Sequence, residues 1–484
     1  MKRFSSHDDG FAMVVVMAVI AVVTVVAIGG FAVSQQVLAE SSRVLNETKA
    51  FQVAQSGLDR EVAQFDASDV SGGGSYTKTG TTPDGTYEIT GSQVSTFEYE
   101  ITSEGTAEGR TESVTQRFFK FNLWDMNIGA GQSSPLGGGR GFNGNAAIYG
   151  PLYIRGDFDF SMANAVYEGG PLMVKGGDVI VGGSATIGYA DPIDLFLDGA
   201  ITGVKPSSCY YKSWSTSVPD IELPWLDDDF LDSRLEKALE ESTDNFMGYA
   251  SSAIVNTETI AGVASTYGDG STIPGRIYAP SAPASGSDHY KFIGNGTTRS
   301  SLGNGTYFME IDGVSFGAWD GNGYPLGSGL HDDFAYDAGT GTLYVEGAVF
   351  IDGDLHIGTN VQHYKGNGTI VVNGDAFIGG EVEPVGGDMS AENCVALAVV
   401  GDVTLGDNAH SGNVRARWEG AIFCNGEVAL YHTETSFEGS ILCDTLYGDK
   451  PNIEIRTNPD LPNYLPRDMP AIDGQTYLGA WSRN

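Results

Sequence analysis

The sequence predicts a mainly β protein: a long N-terminal α-helix, transmembrane and then amphipathic, followed by a small antiparallel β segment and a right-handed parallel β-solenoid carrying a helical and loop insertion. Three observations carry this reading. Residues 11–33 hold no charge, residues 75–121 alternate apolar and polar side chains between turn residues, and from about Gly129 short apolar runs repeatedly end in a Gly-Asp pair. With 484 residues, 67 glycines and 41 % hydrophobic residues, the chain is too apolar for disorder and too unperiodic for collagen.

Charge narrows the function classes. Asp and Glu number 62 against 26 Lys and Arg, a net charge of −36. A surface of that sign repels phosphate backbones, so nucleic acid is not an expected partner.

Each element follows from local pattern. Between Phe11 and Val33 only Thr24 is polar, and 23 residues at ~1.5 Å each span roughly 35 Å, enough for a bilayer. Lys2 and Arg3 precede the run, which places the N-terminus in the cytoplasm and the rest outside a cell membrane crossed once. The helical signal continues over 34–66: Val37, Val44, Phe51, Leu58 and Phe65 recur every seven residues, thickened by Leu38, Leu45, Ala54 and Val62. Such a stripe needs a partner along its length.

A short basic leader, "MKRFSSHDDG", that carries Lys2 and Arg3 and ends at Gly10 ahead of Phe11, with an apolar helix running into an amphipathic half, resembles a type IV prepilin. The segment "RVLNETKAFQVAQSGLDREV", Arg43 to Val62, is similar to the PilX-type N-terminal family of pilus assembly proteins. Ala50, Ala54, Gln55, Ser56, Gly57 and Leu58 fall on its "AxxAAEAAL"-like stretch, with Gln55 and Gly57 departing from the usual Glu and Ala. The resemblance covers roughly residues 1–120. It implies a pilin-like helix, removal of leader 1–10 by a prepilin peptidase between Gly10 and Phe11, and partnership with other pilin subunits and the assembly machinery. Major pilins carry Glu at the fifth mature position; here that position is Val15.

The β segment, 75–121, places Tyr87, Ile89, Phe97, Tyr99 and Ile101 on one face, with turns expected at Gly91 and at Gly105 to Gly109. The solenoid follows in two parts, 129–205 and 341–450, with runs such as "YGPLYIRGDFDFS", "GNGTIVVNGDAFIG" and "WEGAIFCNGEVALY". Equivalent glycines lie 21 residues apart (Gly156 and Gly177; Gly353 and Gly374), then 27 (Gly401) and 25 (Gly426), one coil each. Alternate side chains of each run are expected inside, with glycines at the corners. The Gly-Asp punctuation is similar to that of bactofilins. The insertion, 206–340, contains Asp227 to Asp229 ahead of a helical pattern, where the acids suit a helix start; residues 451–484 read as a tail.

Catalytic motifs are sparse. "GVSFG", Gly313 to Gly317, matches a nucleophile pattern without its strand-turn-helix context, and "HDDF", His331 to Phe334, is a His-acid group without paired ligand spacing. The chain is therefore read as no enzyme and without a cofactor; calcium, which pectin-lyase-like β-helices hold with acidic clusters, stays open, since each outward carboxylate here equally serves solubility. Cys424 and Cys443 occupy equivalent positions on consecutive coils, about 4.8 Å apart, within reach of a disulfide or stacked as thiols. Cys209 and Cys394 are a weaker second pair.

The expected function is structural: a minor type IV pilin-like protein at the cell surface, at or near a filament tip, displaying the solenoid for adhesion to a glycan or host ligand, or for assembly. A surface-tethered polysaccharide lyase or hydrolase, and a bactofilin-like polymerising scaffold, are the alternatives.

Overall fold

A computed structural model describes residues 8–70, 74–131, 145–161, 164–221, 223, 225–241, 334–337, 340–345, 347–352, 354–357, 361–406, 415–431, 434–448, 452–466, 469–470 and 475–483, with short strands between 246 and 315. The chain forms two compact units, residues 1–119 with 478–484, and residues 120–477.

In the first unit, one unbroken helix, α1 (Asp8–Gln64), precedes an antiparallel sheet of β1 (Ser75–Thr82), β2 (Gly85–Ser95), β3 (Glu98–Ala107) and β4 (Arg110–Phe121). The last strand of the chain, Gln475–Arg483, joins at the β4 edge. Residues 451–484 are thus not a tail alone: they supply this strand and a solenoid strand, Ile453–Arg456.

Only the end of α1 packs on the sheet. Ala50, Val53, Ala54, Leu58 and Phe65 are buried against Tyr87, Ile89, Tyr99, Ile101, Val114 and Phe118. Phe65 is the hub, with ring centroids 4.8 Å from Tyr99 and 5.0 Å from Phe118. Val37, Leu38, Val44 and Leu45 of the predicted stripe remain exposed. Buried Glu61 accepts hydrogen bonds from the Tyr76 hydroxyl and the Lys78 ammonium, both at 2.7 Å, tying the helix to β1.

Of the glycines expected at turns, Gly109 sits in the β3–β4 turn at φ 74°, while Gly91 and Gly105 do other work. Gly91 stands mid-strand opposite Tyr76 and Ile101, and Gly105 lies within β3. A Cβ on Gly105 would collide with the Ala54 amide and the Ala50 carbonyl, so the residue lets the helix backbone rest on the strand. Gly57, the departure from the usual Ala, has the same cause: its Cβ would meet the Tyr87 ring at 2.7 Å and the Ser103 hydroxyl at 2.8 Å. Phe97 is half-buried in the β2–β3 turn at φ 67°, not on the packed face.

The second unit is a parallel β-solenoid of about nine turns. Its stacking order is not the chain order. Strands Gly347–Asp352, His363–Val372, Asn393–Val399, Ala416–Leu430 and Thr435–Gly448 pair successively in parallel. Thr435–Gly448 then pairs with Ile128–Ala130, the first solenoid strand in sequence, which leads on to Leu152–Arg155, Leu172–Lys175, Ile193–Leu197 and Tyr211–Ser215. The same junction recurs on a second face, where Ile453–Arg456 pairs with Ala146–Tyr149. The chain enters mid-stack, winds to one end, and returns from the other end to meet its own first coil.

The core runs through Ile148, Tyr167, Leu195, Ile370, Leu397, Trp418, Ile422 and Ile441, all buried. On the face holding Asn393–Val399, the expected alternation fails: Ala396, Ala398, Phe423, Leu442, Tyr153, Met173 and Phe196 are also buried although they lie outside the core cluster. Burial on both faces is what continuous apolar runs such as "VALAV" encode. Part of the cover is the segment after Tyr211–Ser215, which buries Val218, Ile221 and Leu226 before helix α2 (Asp228–Glu241). Asp227 caps α2, its carboxylate accepting from the Phe230 amide at 2.9 Å.

Candidate functional site

Three regions carry candidate function: the bare part of α1, the Gly-Asp corners, and the outer faces of the solenoid. In α1, side chains from Met13 to Val33 are exposed throughout, with Val15 at 45 %. The single polar side chain, Thr24, donates to the Ile20 carbonyl at 2.7 Å, so the span offers no unsatisfied side-chain polar atom to lipid. A Cβ at Gly29 or Gly30 would touch nothing. The helix is long and apolar enough to cross a membrane. Gly10 and Phe11 stand in its first turns; the preceding residues 1–7 lie outside the described residues. Beyond the span, Arg43 pairs with Glu40 and, at 3.2 Å, with Glu47.

The Gly-Asp pairs join one coil to the next. The Asp157 carboxylate accepts from the Asp178 amide at 2.8 Å, and Asp178 from the Ala200 amide at 2.9 Å. In the other half Asp375 accepts from the Asp402 amide at 2.8 Å and Asp402 from the Glu427 amide at 2.7 Å. Before Asp178 and Asp402 the adjacent coil occupies the Cβ position: one built on Gly177 would strike the Gly156 backbone and one on Gly401 the Asp375 carboxylate, while Gly156 before Asp157 stands at φ 111°. The repeat is therefore a hydrogen-bonded ladder as much as a turn signal.

A column of charge runs up another face. Strand register puts Glu419 beside Glu438, and Glu438 beside Arg456. Glu419 is 1 % exposed and bonded to Arg417, whose guanidinium also meets Glu383 at 2.9 Å. Desolvation raises the Glu419 carboxyl to about 7, assisted by the Glu438 and Glu383 charges and opposed by Arg417. Arg456 lies over the Tyr149 ring at 4.7 Å, and Asn458 donates to Glu438 at 3.3 Å.

A groove of about 210 Å³ lies beside the segment preceding α2, lined by Arg155, Leu223, Trp225, Phe423, Asn425 and Asp444 among others. Sequence reading missed it, because its residues are gathered from three distant stretches of the chain.

Cys424 and Cys443 are strand-register partners and both are buried; burial pushes each thiol up from its usual value. Cys424 donates to the Gly401 carbonyl at 3.0 Å. Cys209 and Cys394 do not pair: Cys209 bridges Ile187 near one end of the stack, whereas Cys394 pairs with Asn367 several coils away. Residues His331 to Asp333 lie outside the described residues, and Ser315 of "GVSFG" sits in a two-residue strand, Val314–Ser315. Among the described residues no three His, Cys, Asp or Glu side chains are grouped to hold a metal ion.

No protein-family profile and no curated protein matches the chain. Among solved structures it is similar to the competence-associated pilin ComZ from Thermus thermophilus, at 15 % identity over 91 % of this chain and 97 % of that one, with a TM-score of 0.49. At that score and identity the likeness decides neither function nor partners.

Proposed function

We propose that this chain is a minor, type IV pilin-like surface protein whose N-terminal helix enters a filament and whose solenoid is the displayed head. The supporting observation is α1 itself: an uncharged run from Phe11 to Val33, exposed from Met13 onward, that continues without a break into a second part pressed on an antiparallel sheet through Ala50, Ala54, Gly57 and Gly105. Such a helix is stable in water only where another apolar surface covers it, and both a bilayer and a bundle of like helices do so. Lys2 and Arg3 set the N-terminus in the cytoplasm, where a prepilin peptidase would cut between Gly10 and Phe11.

Val15 then occupies the fifth mature position, with no carboxylate to meet a neighbouring subunit's N-terminal amine. A subunit at or near the tip lacks that neighbour on one side, which suits low copy number and an outward-facing head for adhesion. N-terminal sequencing of the surface form tests the reading: a chain beginning at Phe11 supports it, and one beginning at Met1 or beyond Val33 overturns it. Immunogold labelling is expected at filament ends; uniform labelling along shafts overturns the tip position.

A further inference from the structure

The groove beside α2 is built around one exposed aromatic ring. Trp225 is 57 % exposed, yet its segment is pinned on either side. Upstream, the buried Tyr153 hydroxyl accepts from the Ile221 amide at 3.0 Å and lies 3.3 Å from the Pro219 carbonyl, while Arg155 pairs with Asp220 at 3.2 Å. Downstream, the Asn425 side chain accepts from the Leu226 amide and donates to the Leu226 carbonyl, both at 2.9 Å. Ile221 and Leu226 are buried while Trp225 between them is not, so the indole is held in the open by its own anchors.

The rest of the lining sets the ligand class. Phe423 and Leu223 supply apolar surface, and Arg155 and Asp444 bring opposite charges. A cation would face Arg155, and an anion would face Asp444 and a chain of net charge −36. A purely hydrocarbon ligand would cover charged groups without replacing their water. What matches an aromatic face with polar groups of both signs at its edge is a neutral ring with an apolar face and a hydroxylated rim. The volume, about 210 Å³, is below the ~300 Å³ at which pockets enclose drug-sized ligands, and suits one such ring with the rest of an oligosaccharide outside.

We infer that this groove binds a neutral sugar residue, a hexose or N-acetylhexosamine unit of a glycan, stacked on Trp225 with its hydroxyls toward Asp444 and Arg155. The inference names a ligand class for the display role proposed above and rests on that reading for its setting. N-terminal sequencing tests the anchor and glycan binding tests the groove, so either can fail alone.

The test uses the full-length chain in a polyoxyethylene detergent, which carries no sugar, on an array of neutral hexose- and N-acetylhexosamine-terminated oligosaccharides beside choline and a heparin fragment. Binding to a neutral glycan is expected, weakened roughly tenfold or more by Trp225→Ala and weakened also by Asp444→Asn. Tyr211→Ala, which removes an exposed ring at the end of the same solenoid, should bind as the unaltered chain does. Circular dichroism of each variant checks that the fold is kept. Absence of neutral glycan binding, retention of full affinity by a folded Trp225→Ala, or preference for choline or heparin overturns the inference.

Discussion

Replacing Glu419 by Gln should make the middle of the solenoid more stable above neutral pH and leave it nearly unchanged below about pH 4.5. The carboxyl is 1 % exposed, stacked in register against Glu438, and held by an Arg417 that it shares with Glu383. Its folded value of about 7 stands above the ordinary 4.5. Below 4.5 the group is protonated in both states and costs nothing. As pH rises toward 7 the unfolded chain releases the proton and the folded chain holds it, so stability falls, and above about 7 the loss is complete. The difference between the two values corresponds to about 3 kcal/mol. Gln keeps the shape and has no proton to lose, while Arg417 keeps Glu383; the folded value already includes the Arg417 attraction, so about 1–3 kcal/mol in favour of the variant is expected at alkaline pH. Hydrogen exchange read by mass spectrometry over strands Ala416–Leu430 and Thr435–Gly448 follows this region alone, after correction for the intrinsic pH dependence of exchange. Protection in the two proteins should diverge as pH rises from about 4.5 to 7 and stay apart above that. Parallel profiles across that window would refute the argument that a desolvated, crowded carboxylate weakens these coils.

Gly105→Ala places a methyl group against the α1 backbone and should destabilise the helix–sheet unit by about 1–3 kcal/mol, seen as a lower midpoint for that unit in thermal unfolding. Asp402→Ala removes the acceptor for the Glu427 amide; a loss of about 1 kcal/mol is expected, with faster hydrogen exchange at Glu427. Intact mass before and after reduction and alkylation distinguishes stacked thiols from a bond between Cys424 and Cys443, whose register alignment brings them together; as thiols the pair should alkylate slowly in the folded chain, since burial keeps them protonated and enclosed, and as a disulfide they should not alkylate until reduced.

Local pattern was enough for the long helix, the antiparallel segment and the repeated coils, but not for the strands within 451–484 or the mid-strand places of Gly91 and Gly105. Uncharged residues between Phe11 and Val33 make a helix long and apolar enough to cross a membrane, and the Gly-Asp repeats make coils because each carries the same pairing geometry. The candidate groove was not legible: Arg155, Trp225 and Asn425 meet only through the fold. The roles of Gly57 and Gly105 were hidden for the same reason, since close approach to Tyr87 or to the α1 backbone leaves no trace in their own neighbourhood. Stacking order was decided by tertiary structure alone. Every coil edge presents the same row of amides and carbonyls to the next, so nothing in the repeat says that Thr435–Gly448 must receive Ile128–Ala130. What selects that partner is side-chain fit at the junction, Ile441 over Ile128 and Cys443 over Ala130, together with the segment that Tyr153 and Asn425 hold along the outer face. The sequence by itself determined the long helix, the antiparallel segment and the repeated coils; their order in space follows from long-range packing, which local periodicity does not encode.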